Sequence, residues 1–215
     1  VDDLLDFSRI ARGKVELRRE PLELGDIVRR AIEIAEPLVE KHSHHLSVDV
    51  PRGLVVDGDP VRLAQAVANL LTNAATYTPP GGEIAVVARA AAGGIALCVR
   101  DNGVGISPEI LPHVFEMFAQ ERQSIDRSRG GLGLGLTIVK SLVEAHGGQV
   151  SVRSDGPGCG TELELRLPAT DRPAVGDPAS SDAIGVLVVD DNADAAMLMA
   201  TAVERAGYAT RVAHD

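Results

Sequence analysis

Tryptophan is absent, and two tyrosines with three phenylalanines bring the aromatic content to only 2%. A core built from this chain must be aliphatic, drawn from a hydrophobic content of 45%. Basic residues are in deficit: 21 against 31 acidic ones leave a net charge of −10. Without a basic stripe or aromatic platforms, nucleic acid is not an expected partner. Cys98 and Cys159 fit no metal-ligand spacing and frame no disulfide scaffold, so a reduced, cytoplasmic setting is expected. No apolar run reaches membrane-spanning length, and no signal-peptide pattern is visible. The chain opens at Val1 in helix-like sequence and reads as a piece of something longer, whose membrane anchoring stays open.

The 215 residues present suffice for one domain of ordinary size plus extra pieces. "VDDLLDFSRIAR" reads as the end of an amphipathic helix, and the alternating "KVELRREP" as a short strand. "GDIVRRAIEIAEPLVEKHS" is a helix with Ile27, Ala31, Ile34 and Leu38 at helical spacing; "HLSVDV" follows as a strand. Asp59-Pro60 starts a second helix, an N-cap followed by proline in the first turn. Its buried stripe is expected at Leu63, Val67, Leu70, Leu71 and Ala74. "EIAVVARAA" and "IALCVRD" are strands joined around Gly93-Gly94, and Ser107-Pro108 starts a short helix. "LTIVKSLVEAHGG" is a helix closed by glycine, and "GQVSVRS" with "GTELELRLP" makes a final strand pair. The expected fold is α+β: a two-layer sandwich of a mixed, mainly antiparallel sheet with helices on one face. A Pro-, Ala-, Ser- and Asp-rich linker at 169–183 precedes a fresh start at 184–215, where a strand, a helix and a second strand begin. About 30 residues cannot form an independent doubly wound domain.

The chemistry concentrates in a few short stretches. "GGLGLGLTIVK" places glycines just before an apolar helix. It is not a P-loop, because Leu136 stands where the lysine belongs, and not a dinucleotide fingerprint, because Leu136 also replaces the last glycine. Such a loop binds phosphate through backbone N–H groups at a helix N-terminus, or serves as a surface hinge. Asn69 and Asn73, four apart, share one helix face, opposite the apolar stripe. Amide oxygens suit Mg²⁺; exposed or capping asparagines are the plain alternative. In "DNGVGI", Asp101 offers a carboxylate that an exocyclic amine can meet, and Gly103 and Gly105 allow close backbone approach; a tight turn would use the same residues. Arg127 and Arg129 either clamp phosphate or are solvated loop charges. Phe115, Met117 and Phe118 read as packing residues, and His42, His44 and His45 as surface residues at a helix-to-strand turn.

Order changes the weight of these stretches. "NLLTNAATYTPPGG", "DNGVGI", "FEMFAQ", "GGLGLGLTIVK" and "GTELELRLP" occur in that sequence. The set closely resembles the ATP-binding catalytic domain of sensor histidine kinases, within the gyrase, chaperone, kinase and mismatch-repair ATPase superfamily, over residues 19–168. The resemblance implies ATP as ligand with Mg²⁺ as cofactor. Asn73 is similar to the family's Mg²⁺ ligand, with Asn69 supporting it in the catalytic site. Asp101 resembles the adenine-reading aspartate, Gly103 and Gly105 the glycines beneath the base, and Tyr77 a nucleotide-contacting aromatic. Thr161 resembles the shaper of the adenine pocket. Gly131, Gly133, Leu134, Gly135 and Leu136 resemble the phosphate-closing glycine box, and 119–131 resembles the mobile ATP lid, with Arg127 and Arg129 in it. Two positions depart from the pattern: Thr76 stands where the family usually has lysine, and Met117 where it often has arginine.

The ends extend the resemblance. Residues 1–18 resemble the end of the dimerisation and histidine-phosphotransfer hairpin, which implies that hairpin as partner and a homodimeric parent. The family's phospho-acceptor histidine is followed by an acidic residue; of the six histidines here only His214 is, by Asp215, and it stands in the C-terminal stretch rather than in a helix ahead of residues 1–18. "VLVVDDNADAAMLMATAVERAGYATRVAHD" resembles the start of a response-regulator receiver, with Asp190 and Asp191 as its Mg²⁺ pair and the phospho-accepting aspartate expected beyond Asp215. Together these imply a hybrid sensor histidine kinase that passes phosphate from ATP to histidine and on to a receiver. Thr76 motivates an alternative, a nucleotide-binding regulatory module with little transfer activity. Steady ATP hydrolysis is disfavoured, because an amide at Asn69 is a poor general base.

Overall fold

The computed structural model describes residues 17–116 and 134–170, together with two strands at 185–189 and 209–213. The chain divides into two compact units, Val1–Val175 and Gly176–Asp215.

In the first unit, strands β1 (Glu20–Glu23) and β3 (Val55–Gly58) form an antiparallel pair. Helix α1 (Leu24–Lys41) and helix α2 (Pro60–Tyr77) pack on each other, and α2 also packs on α3 (Gly135–Ala145). The main sheet has five strands: β2 (His45–Asp49), β4 (Glu83–Ala91), β5 (Gly94–Asp101), β6 (Gln149–Arg153) and β7 (Thr161–Leu167). Their spatial order is β2-β4-β5-β7-β6, parallel only between β2 and β4. The expected mixed, mainly antiparallel α+β fold is what forms.

Register explains the layering. Val86 faces Val99, which faces Leu163; Leu97 faces Leu165, which faces Val150. These residues share one cluster with Ile27, Ala31, Val67 and Leu71 from the helices. Period-two alternation sends the intervening residues to the other face, where Arg89 meets Glu164 at 3.3 Å and Arg100 approaches Glu162 at 3.9 Å. Cys98 stands on that charged face, where burial first and then Glu162 and Glu164 push its thiol up to about 11.

Helix α2 follows its sequence closely. The Asp59 carboxylate accepts from the N–H groups of Val61 and Arg62, both at 3.1 Å, as an N-cap does. The stripe Leu63, Val67, Leu70, Leu71 and Ala74 is at most 4% exposed. Helix α1 departs from expectation at one residue: Ile34 is 59% exposed, while Leu24, Val28, Ala31, Ala35 and Val39 face inward. At 100° per residue those five lie within one arc, and Ile34 falls outside it. Of the strand expected at 14–21, residues 14–16 lie outside the described residues and 17–19 are irregular; the strand runs over 20–23, where all four residues pair with the four of β3. β3 itself was not anticipated. After Ser107-Pro108 only a 3-10 turn forms, at Leu111–His113, where Pro112 lacks the N–H a longer helix would use. At the β4–β5 hairpin, the turn falls at Ala92-Gly93, and Gly94 already belongs to β5. A Cβ on Gly94 would stand 2.2 Å from the Leu167 carbonyl oxygen on β7, so close strand approach requires glycine there.

In the second unit, β8 (Gly185–Val189) and β9 (Ala209–Ala213) pair in parallel. The expected helix at the N-terminus and most of the expected linker lie outside the described residues. Ala169 and Thr170 are held to β3: Val56 bridges Ala169, and the Thr170 N–H donates to the Val55 oxygen at 3.1 Å. Among the described residues no helix is long and apolar enough to cross a membrane.

Candidate functional site

A cavity of about 140 Å³ opens between the end of α2, the end of β5 and the start of α3. Helix α2 supplies Asn73, Ala74 and Tyr77; β5 supplies Asp101; the loop after it supplies Val104, Gly105 and Ile106. Ile110 and Val114 add an apolar wall, Leu136 comes from α3, and Thr161 and Leu163 come from β7. Strand pairing sets Asp101 opposite Thr161, so the two reach the cavity together. The Thr137 hydroxyl donates to the Phe115 carbonyl oxygen at 3.1 Å, fastening the apolar wall to α3.

Among the described lining residues Asp101 is the charged one. Its Oδ1 accepts the Gly103 N–H at 2.8 Å. Burial raises its pKa from the ordinary 3.8, against the opposing backbone hydrogen bonds from Gly103 and Thr161. The cavity thus pairs a mostly apolar wall with one desolvated acceptor aimed by the backbone, a common form for binding a flat ligand with a polar edge.

The glycines divide by role. A Cβ on Gly103 would meet the Tyr77 oxygen at 2.5 Å and Asp101 Oδ1 at 2.8 Å; Gly103 is buried behind the cavity rather than lining it. Gly105 lines it with φ +71°, and its Cβ would fall 2.1 Å from the Gly156 oxygen. At Gly135 the nearest contact would be Asn73 at 3.8 Å, so no clash requires glycine there. Leu134 is 3% exposed and packs with Ala66, Ile138 and Leu142, which leaves only its backbone for a ligand.

Asn73 lines the cavity, and among the described residues its amide takes no hydrogen bond. Asn69 does not line it; its amide donates to the Gly135 carbonyl oxygen at 3.4 Å, linking α2 to the start of α3. Tyr77 is 48% exposed at the rim. The Thr76 hydroxyl donates to the Thr72 oxygen at 2.6 Å, one turn back in its own helix. Arg127, Arg129, Gly131, Gly133, Asp190 and Asp191 lie outside the described residues. Among the described residues no group of three His, Cys, Asp or Glu could hold a metal. A single amide oxygen with phosphate oxygens and water is nonetheless a fitting set for Mg²⁺.

The histidine turn is not simply surface. His44 is 8% exposed, and His42 Nδ1 and His44 Nε2 both donate to the Ala75 carbonyl oxygen at 2.9 Å. That carbonyl needs outside donors, because the residue four ahead is Pro79, which has no N–H. The pair therefore caps the end of α2 beside Tyr77. His146 was also unanticipated: it is 2% exposed, its Nδ1 donates to the Leu142 oxygen at 2.7 Å, and its Nε2 accepts the Asp59 N–H at 3.0 Å. It ties the end of α3 to the start of α2. The apolar walls at Ile110, Val114 and Leu163 were missed as well; of these, only Leu163, in an alternating strand, had a readable signal.

Comparison with known proteins agrees with this geometry. Residues 58–171 match the family described as histidine kinase-, DNA gyrase B- and HSP90-like ATPases. The chain is 37% identical over 179 residues to the sensor protein DivL of Caulobacter vibrioides, covering 83% of this chain and 22% of DivL. The mycobacterial sensor histidine kinase MprB superposes with a TM-score of 0.62 at 35% identity, over 70% of this chain and 98% of that one. Full-length ShkA, solved in complex with AMPPNP, gives 0.68 at 28% identity, over all of this chain and 44% of that one. The chain spans about a quarter of the length of the curated relatives it matches first. This chain belongs to the histidine kinase-, DNA gyrase B- and HSP90-like ATPase family, and its ATPase-type domain is of the sensor histidine kinase kind.

Proposed function

We propose that the chain is the ATP-binding catalytic region of a hybrid sensor histidine kinase, which presents the γ-phosphate of Mg-ATP to a histidine on a dimerisation hairpin. The observation that carries the reading is the half-buried Asp101 carboxylate, fixed by the Gly103 N–H at the wall of an otherwise apolar cavity. An adenine exocyclic amine would donate to Asp101, with the ring between the apolar wall and the Gly105 backbone. Tyr77 would cover the rim. Asn73, at the end of the cavity toward α3, would hold Mg²⁺, and Asn69 would keep the start of α3 in register through Gly135. Bound magnesium supplies neutralisation of phosphate charge; the protein supplies position and donors. Backbone N–H groups around Gly133 to Leu136, with Arg127 and Arg129, would meet the phosphates.

In the same reading, residues 1–18 end the dimerisation helix, 19–168 form the catalytic domain, 169–183 link, and 184–215 begin a receiver with Asp190 and Asp191 as its acidic pair. The parallel pairing of β8 with β9 supports the last part, since parallel neighbours require a crossover such as a helix. The parent would be a homodimer whose phosphate passes to a receiver or response regulator.

Thr76 supports a second reading, a regulatory module with weak transfer. Its hydroxyl is engaged within α2 and it offers no cation. Calorimetric titration with a non-hydrolysable ATP analogue, with and without Mg²⁺, tests the first reading. Saturable binding that Mg²⁺ strengthens, and that loses its Mg²⁺ dependence in Asn73→Ala, is expected. Absence of binding to the folded, unmutated chain would overturn it. Binding without transfer to a supplied histidine-bearing hairpin would favour the regulatory module.

A further inference from the structure

We propose that Ser154 is a positioning residue for the base-side wall of the cavity, setting nucleotide affinity without touching the nucleotide. The inference rests on the nucleotide-binding reading of that cavity.

Ser154 follows β6 and is not among the lining residues. Its hydroxyl oxygen accepts the N–H of Ile106, a lining residue, at 2.9 Å. Its single hydroxyl proton goes to the Gly160 carbonyl oxygen at 2.7 Å. One side chain thus closes the loop 154–160 on itself and fastens it to the loop after β5. Two backbone bonds run alongside: Gly158 N–H to the Val104 oxygen at 2.6 Å, and Gly160 N–H to the Gly103 oxygen at 3.1 Å. Gly156 presses its carbonyl toward Gly105, and a Cβ on Gly160 would stand 2.1 Å from the Asp101 oxygen. The wall at Val104, Gly105 and Ile106 is thus fastened to the loop behind it at three points, besides the Val104 N–H that donates to the Tyr77 oxygen of α2 at 3.0 Å. Of these cross-links, only the serine's comes from a side chain. Removing the hydroxyl leaves the Ile106 N–H without its partner and frees the wall to shift relative to Asp101.

The full chain, as Ser154→Ala and Ser154→Thr, is titrated calorimetrically with ADP and with a non-hydrolysable ATP analogue, and melted alongside the unmutated chain. Ser154→Ala is expected to weaken both ligands by the same factor, roughly tenfold, at a temperature where it is fully folded. Ser154→Thr, which keeps the hydroxyl, is expected to recover most of the loss. Equal affinity of Ser154→Ala and the unmutated chain would overturn the inference, and so would a loss confined to the ATP analogue, which would place the effect at the phosphates. Should Ser154→Ala fail to fold, amide hydrogen exchange in the unmutated chain decides: slow exchange at Ile106 without ligand supports the inference, and fast exchange overturns it. Failure of the unmutated chain to bind either nucleotide is a different result, which removes the underlying reading.

Discussion

Replacing Asp101 with asparagine separates binding from stability, because the structure predicts opposite signs for the two. The carboxylate is desolvated, and burial raises its pKa above the ordinary 3.8 despite backbone hydrogen bonds that favour its charge. A raised folded value means the folded chain holds this proton more tightly than the unfolded one. The resulting stability is full below pH 3.8 and is lost as pH rises through the folded value, so at pH 7 ionised Asp101 is a net burden on the fold. Asparagine keeps one oxygen for the Gly103 N–H and removes the charge. Asp101→Asn should therefore melt no lower than the unmutated chain at pH 7, and its advantage should shrink as pH falls toward 4. Nucleotide binding should move the other way. A hydrogen bond to a charged acceptor contributes about 1.5–3 kcal/mol, which corresponds to a Kd roughly 10- to 150-fold weaker. Thermal melts across pH and calorimetry with ADP measure the two effects. Unchanged ADP affinity would refute the assigned role of Asp101. A melting point clearly lower at pH 7, with the gap closing on acidification, would refute the electrostatic argument.

Gly105→Ala should cost about 1–3 kcal/mol of stability from backbone strain alone, because φ is +71° and the new Cβ would meet the Gly156 oxygen; urea unfolding measures it, with ADP affinity falling in parallel. His146 should give the fold an acid-sensitive component. Burial lowers its pKa from the ordinary 6.5, so its stabilisation is full above 6.5 and lost as pH falls through the folded value, and His146→Gln should flatten that slope in thermal melts. Leu71→Ala, at 0% exposure, should cost about 2–5 kcal/mol in urea unfolding.

Helices were legible where the apolar period and the caps agreed. In α2 the Asp59-Pro60 start and the leucine stripe point to the same boundaries, and the helix forms at Pro60–Tyr77. Strands β4 and β7 alternate because one face is packed and the other carries Arg89, Glu162 and Glu164, whereas β5 buries Ile95, Ala96 and Leu97 in a row and the edge strand β2 leaves Val48 48% exposed. β3 was hidden because four residues with two adjacent valines carry no period, and its pairing with β1 across α1 is a long-range fact. Asn73, Tyr77, Asp101, Gly105, Leu136 and Thr161, named from sequence, do meet around one cavity. What stayed illegible is what holds them: Ser154, His44 and His146 act through hydrogen bonds to residues 31 or more positions away. No local pattern marks such a residue, since its partner is defined only once the chain has folded.

Helix α2 carries two demands on one element, and the way they are reconciled explains several other positions. Its inner face must fill an aliphatic core without aromatic bulk, so it uses leucine, valine and alanine at nearly every buried position. Its other face must present Asn73 and Tyr77 to the cavity, which fixes its rotation and its depth along the axis. Three contacts outside the apolar core set those coordinates: His146 at the Asp59 start, Asn69 against Gly135 midway, and the His42–His44 pair on Ala75 at the end. Thr76 lies in this last turn and turns its hydroxyl back onto Thr72. The helix end is thus fixed by imidazole donors from a neighbouring turn while Thr76 contributes no charge. Phosphate neutralisation at this site, in the proposed reaction, must then come from magnesium on Asn73, from backbone donors and from the arginines at 127 and 129. Introducing a cation by Thr76→Lys would measure how much of that neutralisation the existing donors leave undone.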